Sequence, residues 1–201
     1  DVTALNDGTY KIINKETGYA LTQKDGEITL AEYTDGNADQ RWNLNGYSGT
    51  QLYGIRVGDR FITADKGKAV AEEYANKDSQ KFLFVRKSEN IGDKSVLVAS
   101  RLDTEKVLDI DNASTDDGAN CQVYTENHTD AQIFKMQYKD GYYTLENKGS
   151  GKVLEVGDNN VNYGANVQQS APNGTAAQKW ILTQNSDGSY SFTSRLNGLC
   201  M

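Results

Sequence analysis

The chain has 201 residues, 37% of them hydrophobic, with a net charge of −7, a pI near 4.8 and a mean hydropathy of −0.70. An acidic surface repels phosphate backbones, which argues against nucleic acid as a partner, and no apolar run approaches the roughly 20 residues of a membrane-spanning helix, so no membrane insertion is expected. One histidine and two cysteines are too few to suggest a zinc site or a disulfide framework.

The opening DVTALNDG (1–8) reads as a linker entering a domain, and the chain is expected to be appended to a larger polypeptide. A first unit, 6–48, then runs DGTYKIIN, YALT, ITLAEY and ADQRWNL. Each phrase is a short alternating run with β-branched or aromatic residues, and Asp-Gly or Asn-Gly pairs bound several of them, the pattern of strands joined by tight turns. A second unit, 49–92, repeats the order with TQLYGIRV, FITA and DSQKFLF. Its KAVAEEYANKD (68–78) stands where the other units have a strand, so strand and turn are predicted there rather than helix. A third, 93–139, has KSVLVASR, VLDI, NCQVYT and DAQIFKM, and a fourth opens at DGYYTLEN (140–147) and closes on AAQKWIL (176–182). DGSYSFTS (187–194) begins a fifth, which stops at NGLCM (197–201).

Two phrases give the period. Gln40, Gln80, Gln132 and Gln178 are each followed two residues on by Trp42, Phe82, Phe134 and Trp180. Tyr10, Tyr53, Leu97, Tyr143 and Tyr190 are read as equivalent positions of the opening strands. Four short strands in about 45 residues cannot bury their own apolar face, whereas three such units closing on a pseudo-threefold axis can, with each aromatic pointing into a common centre. An all-β fold is therefore expected, with Trp42, Phe82, Phe134 and Trp180 buried.

With its repeated Gln-x-Trp/Phe, the chain resembles the ricin B-type lectins, β-trefoils that include the family 13 carbohydrate-binding modules. The resemblance implies a trefoil over 6–139, made of repeats 6–48, 49–92 and 93–139, followed by an incomplete second over 140–201. The alternative grouping joins 93–201 as one truncated trefoil. It also implies that the Gln-x-aromatic is chiefly a fold signature, the aromatic filling the core and the Gln fixing nearby backbone.

In the family, a sugar-binding repeat has a carboxylate just after the second strand, to accept hydrogen bonds from vicinal hydroxyls. An aromatic on the third strand stacks on the ring, and polar groups near the closing Gln complete the set. Carried onto repeat three, this implies Asp109, Gln122 and Tyr124, with Asn127 or His128 at the rim and Gln132 closing the site. Repeat four matches at a constant offset with Glu155, Gln168, Asn173 and Gln178. It is the poorer match, because Glu155 is one methylene longer and Ser170 offers no stacking face. Repeats one and two have Thr22 and Thr63 at the carboxylate position, with Tyr33 and Tyr74 read as their third-strand aromatics.

DIDNASTDDG (109–118) is acidic but lacks EF-hand spacing, and neither metal nor cofactor is expected. A family disulfide would need cysteines where Val107 and Glu126 stand, so Cys121 and Cys200 are expected to be free thiols. His128 is expected on an exposed loop. The function expected is non-catalytic: a lectin module holding a larger secreted protein to galactose- or pentose-containing glycans. The alternatives are a catalytic glycosidase fragment and a trefoil scaffold for protein binding or protease inhibition.

Overall fold

The computed structural model describes residues 1–84 and 88–201, and among them all extended regular structure is β-strand, joined by turns and single-turn 3₁₀ segments. The segment expected to be strand and turn forms the strand Lys68–Glu72. Contacts divide the chain into two compact units, residues 1–83 and 84–201.

In the first unit the strand Val2–Ala4 pairs antiparallel with Tyr10–Ile12. The remaining strands form one curled sheet in the order Ala20–Lys24, Glu27–Ala31, Lys68–Glu72, Arg60–Asp65, Tyr53–Val57 and Asn43–Gly46. Its hairpins are tight because the turn residues accept left-handed backbone. Asp25-Gly26, with φ of 52° and 84°, sits between the paired Lys24 and Glu27, the geometry of a two-residue turn whose twist suits the flanking strands. The alternation of the sequence is kept: Ile55, Val57 and Ile62 turn inward and pack with Trp42.

In the second unit Phe134–Lys139 lies between the opening strand of its own repeat, Lys94–Val96, and that of the next, Tyr142–Asn147. Trp180–Gln184 repeats the pattern, touching Tyr143 on one side and Tyr190–Ser194 on the other. Two further hairpins complete the repeats, Lys106–Ile110 with Cys121–Thr125 and Val153–Val156 with Val167–Ser170. Phe134, Met136, Tyr143, Leu145, Leu154, Trp180 and Leu182 form the core.

Contacts divide the chain after the second repeat, and the strands on either side of residue 139 are joined by six consecutive residue pairs, Phe134↔Asn147 to Lys139↔Tyr142. Three expectations need correction. Trp42, Phe134 and Trp180 are buried, but Phe82 is only half-buried. It makes an isolated bridge to Tyr53, whereas the strands of Phe134 and Trp180 continue onto the next repeat. The opening strand of repeat three is equivalent at Val96, which faces Phe134, and not at Leu97, which is exposed. Tyr33 and Tyr74 fall beyond the third strands, which end at Ala31 and Glu72.

Candidate functional site

The buried glutamines set the local geometry in all four repeats. Each Gln is the last residue of a 3₁₀ turn and reaches back to the end of the third strand and the loop after it, where its Oε1 accepts a backbone N–H and its Nε2 donates to a backbone carbonyl. The pairs are Thr34 N and Glu32 O for Gln40, and Ala75 N and Glu73 O for Gln80. They are Asn127 N and Thr125 O for Gln132, and Asn173 N and Ala171 O for Gln178, all at 2.7–2.9 Å. A buried amide that satisfies two backbone groups converts a loop into a fixed element. Counted from the clamped carbonyl, Tyr33 and Tyr74 are the equivalents of Glu126 and Pro172 in their repeats, one residue past it, and Ala31 and Glu72 are the equivalents of Tyr124.

The second Nε2 hydrogen is where the repeats differ. In repeats one and two it goes to Thr22 Oγ1 and Thr63 Oγ1, at 2.9 and 3.0 Å. In repeat four it goes to Glu155 Oε2 at 3.1 Å. A residue within the second strand of the repeat is thus the third partner of the clamp, and the carboxylate position expected just after that strand lies inside it. In repeat three the shorter Asp109 makes no such bond, and among the described residues Gln132 Nε2 bonds only Thr125 O.

Asp109 and Gln122 face each other across the hairpin, as do Glu155 and Gln168. Gln122 Nε2 donates to Asp109 Oδ1 at 3.0 Å and Gln168 Nε2 to Glu155 Oε1 at 3.1 Å. Asp109 is only 4% exposed, and its Oδ2 has no hydrogen-bond partner among the described residues. Both oxygens of Glu155 are engaged. Tyr124 lies two residues beyond Gln122 on the same strand, therefore on the same side, and is 51% exposed.

Asn127 and His128 do not turn toward Asp109. Asn127 Oδ1 accepts from Thr129 N and Oγ1, closing its own loop, and Asn173 Oδ1 accepts from Thr175 N in the same way. His128, at φ 59°, is largely exposed and lies 3.1 Å from Glu126. The two cysteines are free, and burial pushes the Cys121 thiol up to about 12.

Two residues at this place were not anticipated. Asp111 also accepts from Gln122 Nε2, at 3.2 Å, and the alternation in Asp109-Ile110-Asp111 was the sequence signal for it. Gln169 is fully buried, and its Nε2 donates to Ser114 O and Asp116 O, fixing the acidic loop of repeat three from repeat four. No local pattern could have found that contact.

Two overlapping stretches, residues 78–170 and 130–201, match the family described as ricin-type β-trefoil lectin domain-like. No curated protein matches the chain. Among solved structures, a mosquitocidal holotoxin is 17% identical, with a TM-score of 0.51, over 97% of this chain and 25% of its own. The hemolytic lectin CEL-III is 17% identical with a TM-score of 0.45, over 100% of this chain and 49% of its own. The designed threefold-symmetric protein ThreeFoil is 26% identical with a TM-score of 0.38, over 87% and 97%. The chain therefore spans a quarter of the holotoxin chain and about half of the hemolytic lectin, and the fold is all-β of the trefoil type.

Proposed function

The chain belongs to the ricin-type β-trefoil lectin domain-like family, and from that premise we propose that it binds carbohydrate without catalysis, through repeat three. One observation carries the reading. Repeat three alone leaves a carboxylate oxygen, Asp109 Oδ2, without a protein partner among the described residues. A carboxylate oxygen is an acceptor for the hydroxyl groups of a sugar. Gln122 holds the carboxylate in place, and Tyr124 offers an exposed ring to the apolar face of a sugar. A single site of this kind is weak, because association and ordering offset most of what a ring stack and a few hydrogen bonds contribute. The role suits a module that holds a larger secreted protein on galactose- or pentose-containing glycans, where repetition raises effective concentration.

For the repeats we favour the grouping 93–201, with the first two repeats belonging to another trefoil; the division at residue 83/84 supports it. Residues 84–201 expressed alone should then unfold in one cooperative transition, and a broad, non-cooperative melt would refute the grouping.

The functional test is titration of the chain with galactose- and pentose-containing glycans. Asp109→Ala should weaken binding roughly ten- to a hundredfold by removing charge-assisted hydrogen bonds, and Glu155→Ala should change little. Parent-like binding by Asp109→Ala would refute the assignment, and glycan hydrolysis by the chain would replace it with the glycosidase reading.

A further inference from the structure

The outer face of the sheet in residues 1–83 carries a concavity of about 480 Å³ that belongs to no Gln clamp. It is lined by Asn45, Gly46, Tyr47, Arg56, Phe61 and Tyr74. The register explains it. Asn43↔Arg56, Arg56↔Phe61 and Asn45↔Gly54 are cross-strand partners, so these side chains share the face opposite Leu44, Ile55 and Ile62, which pack on Trp42. Gly54 is what lets the aromatics close in. A Cβ there would lie 2.9 Å from the Phe61 ring and 3.2 Å from the Tyr47 hydroxyl. Phe61 and Tyr74 rings pack at 4.9 Å between centroids, and Tyr74 is half exposed.

Two polar groups in this wall have unused capacity. Arg56 donates through Nη1 to Gly58 O at 2.8 Å and pairs with no carboxylate among the described residues. The Tyr47 hydroxyl is buried, and burial together with the neighbouring Tyr74 raises its pKa; it has no hydrogen-bond partner other than Tyr74 among the described residues. The lining contains no Asp or Glu, in a chain whose net charge is −7. Glu72, the cross-strand partner of Phe61, shares this face but neither lines the concavity nor pairs with Arg56, and a guanidinium with open donors among aromatic rings is suited to a planar carboxylate attached to an apolar face.

We propose that this concavity is a second binding site, for a carboxylate-bearing sugar ring. The ring's C–H face packs on Tyr74 and Phe61, its carboxylate accepts from Arg56, and Asn45 meets a ring hydroxyl. The polarity is opposite to that at Asp109, where the protein supplies the acid and the sugar the donors. That the ligand is a sugar rests on the function proposed above; the site itself is independent of Asp109. Its volume lies within the range of roughly 300–1,000 Å³ usual for small-molecule sites.

The test is calorimetric titration with digalacturonate, its dimethyl ester and neutral digalactose, at low and high salt. The acid should bind at least about tenfold more tightly than the ester, the loss of one charge-assisted pair, and the advantage should shrink as salt screens it. Arg56→Gln should abolish the preference for acid over ester, Tyr74→Ala should weaken acid and ester alike, and Asp109→Ala, whatever it does to total glycan binding, should leave that preference in place. Thermal unfolding of each variant separates lost binding from lost fold. Equal binding of acid and ester, or parent-like preference in Arg56→Gln, overturns the proposal. If neutral glycans bind through Asp109 while digalacturonate does not, this site fails alone. Digalacturonate binding through Arg56 with no glycan binding at Asp109 refutes the repeat-three assignment and leaves this site standing. Absence of any binding overturns both.

Discussion

Repeats three and four are built on one frame. In each, a carboxylate faces a glutamine across a hairpin, and a buried Gln clamps the loop that follows. They diverge at a single methylene. Glu155 is long enough to take a hydrogen bond from Gln178 while Gln168 holds its other oxygen, so repeat four closes its polar set on itself. Asp109 makes no such bond to Gln132, and its Oδ2 has no hydrogen-bond partner among the described residues. The same side-chain chemistry is closed on itself in one repeat and leaves one carboxylate oxygen without a protein partner in the other. Repeats one and two show the folding solution again, with a threonine hydroxyl in place of the carboxylate.

The comparison makes its largest prediction about stability. Gln178→Ala would leave the N–H groups of Asn173 and Gly174, the carbonyl of Ala171 and one oxygen of Glu155 without this partner. It should cost about 3 kcal/mol in urea denaturation, against about 2 kcal/mol for Gln132→Ala, which strands fewer groups. A larger loss for Gln132→Ala would break the comparison. Gly157→Ala comes next. The added Cβ would lie 2.8 Å from Gln168 Oε1, so the end of the Gln168 side chain must shift, at a cost of about 1 kcal/mol. Asp111 occupies the matching position in repeat three and carries a side chain there without displacing Gln122; Asp111→Ala should cost less than about 1 kcal/mol.

Repeat four should also be convertible. Glu155→Asp with Ser170→Tyr restores a short carboxylate and a stacking ring, and glycan titration should show a second, equivalent binding event. An unchanged stoichiometry would mean that the methylene is not the deciding difference. The smallest effect concerns the two thiols. Cys200 is exposed and should react with a thiol reagent first, whereas the partly buried Cys121, with its raised pKa, should react more slowly in the folded chain than after unfolding. Because burial raises the folded Cys121 thiol to about 12 from an ordinary 9, the unfolded chain loses this proton first as pH rises. The group therefore subtracts stability between pH 9 and 12, and Cys121→Ala should flatten the decline across that window.

Much of this frame was legible in the residues. Alternating runs bounded by Asp-Gly marked the strands, and Gln-x-Trp/Phe fixed the period. The constant offset between repeats three and four identified Asp109 with Glu155 and Gln122 with Gln168 before any contact was known. The misplaced assignments were of one kind. Leu97 was aligned by spacing to the tyrosines, yet Val96 takes the paired position, because a shift of one residue in a strand exchanges the two faces. Tyr33 and Tyr74 lie within a residue or two of a strand end, where spacing alone cannot separate the strand from the loop that the Gln clamps.

Local sequence thus determined the all-β character, the repeat and the pairing of carboxylate with glutamine, because these follow from side-chain alternation and from turns of a few residues. Tertiary structure alone decided which polar atoms remain open. Whether Glu155 or Asp109 reaches the clamp depends on fractions of a side-chain length across strands 23 residues apart, Gln178 to Glu155 and Gln132 to Asp109. The contact of Gln169 with the acidic loop and the gathering of Tyr47, Arg56, Phe61 and Tyr74 on one sheet face likewise depend on register, and register is a property of paired strands rather than of either strand's sequence.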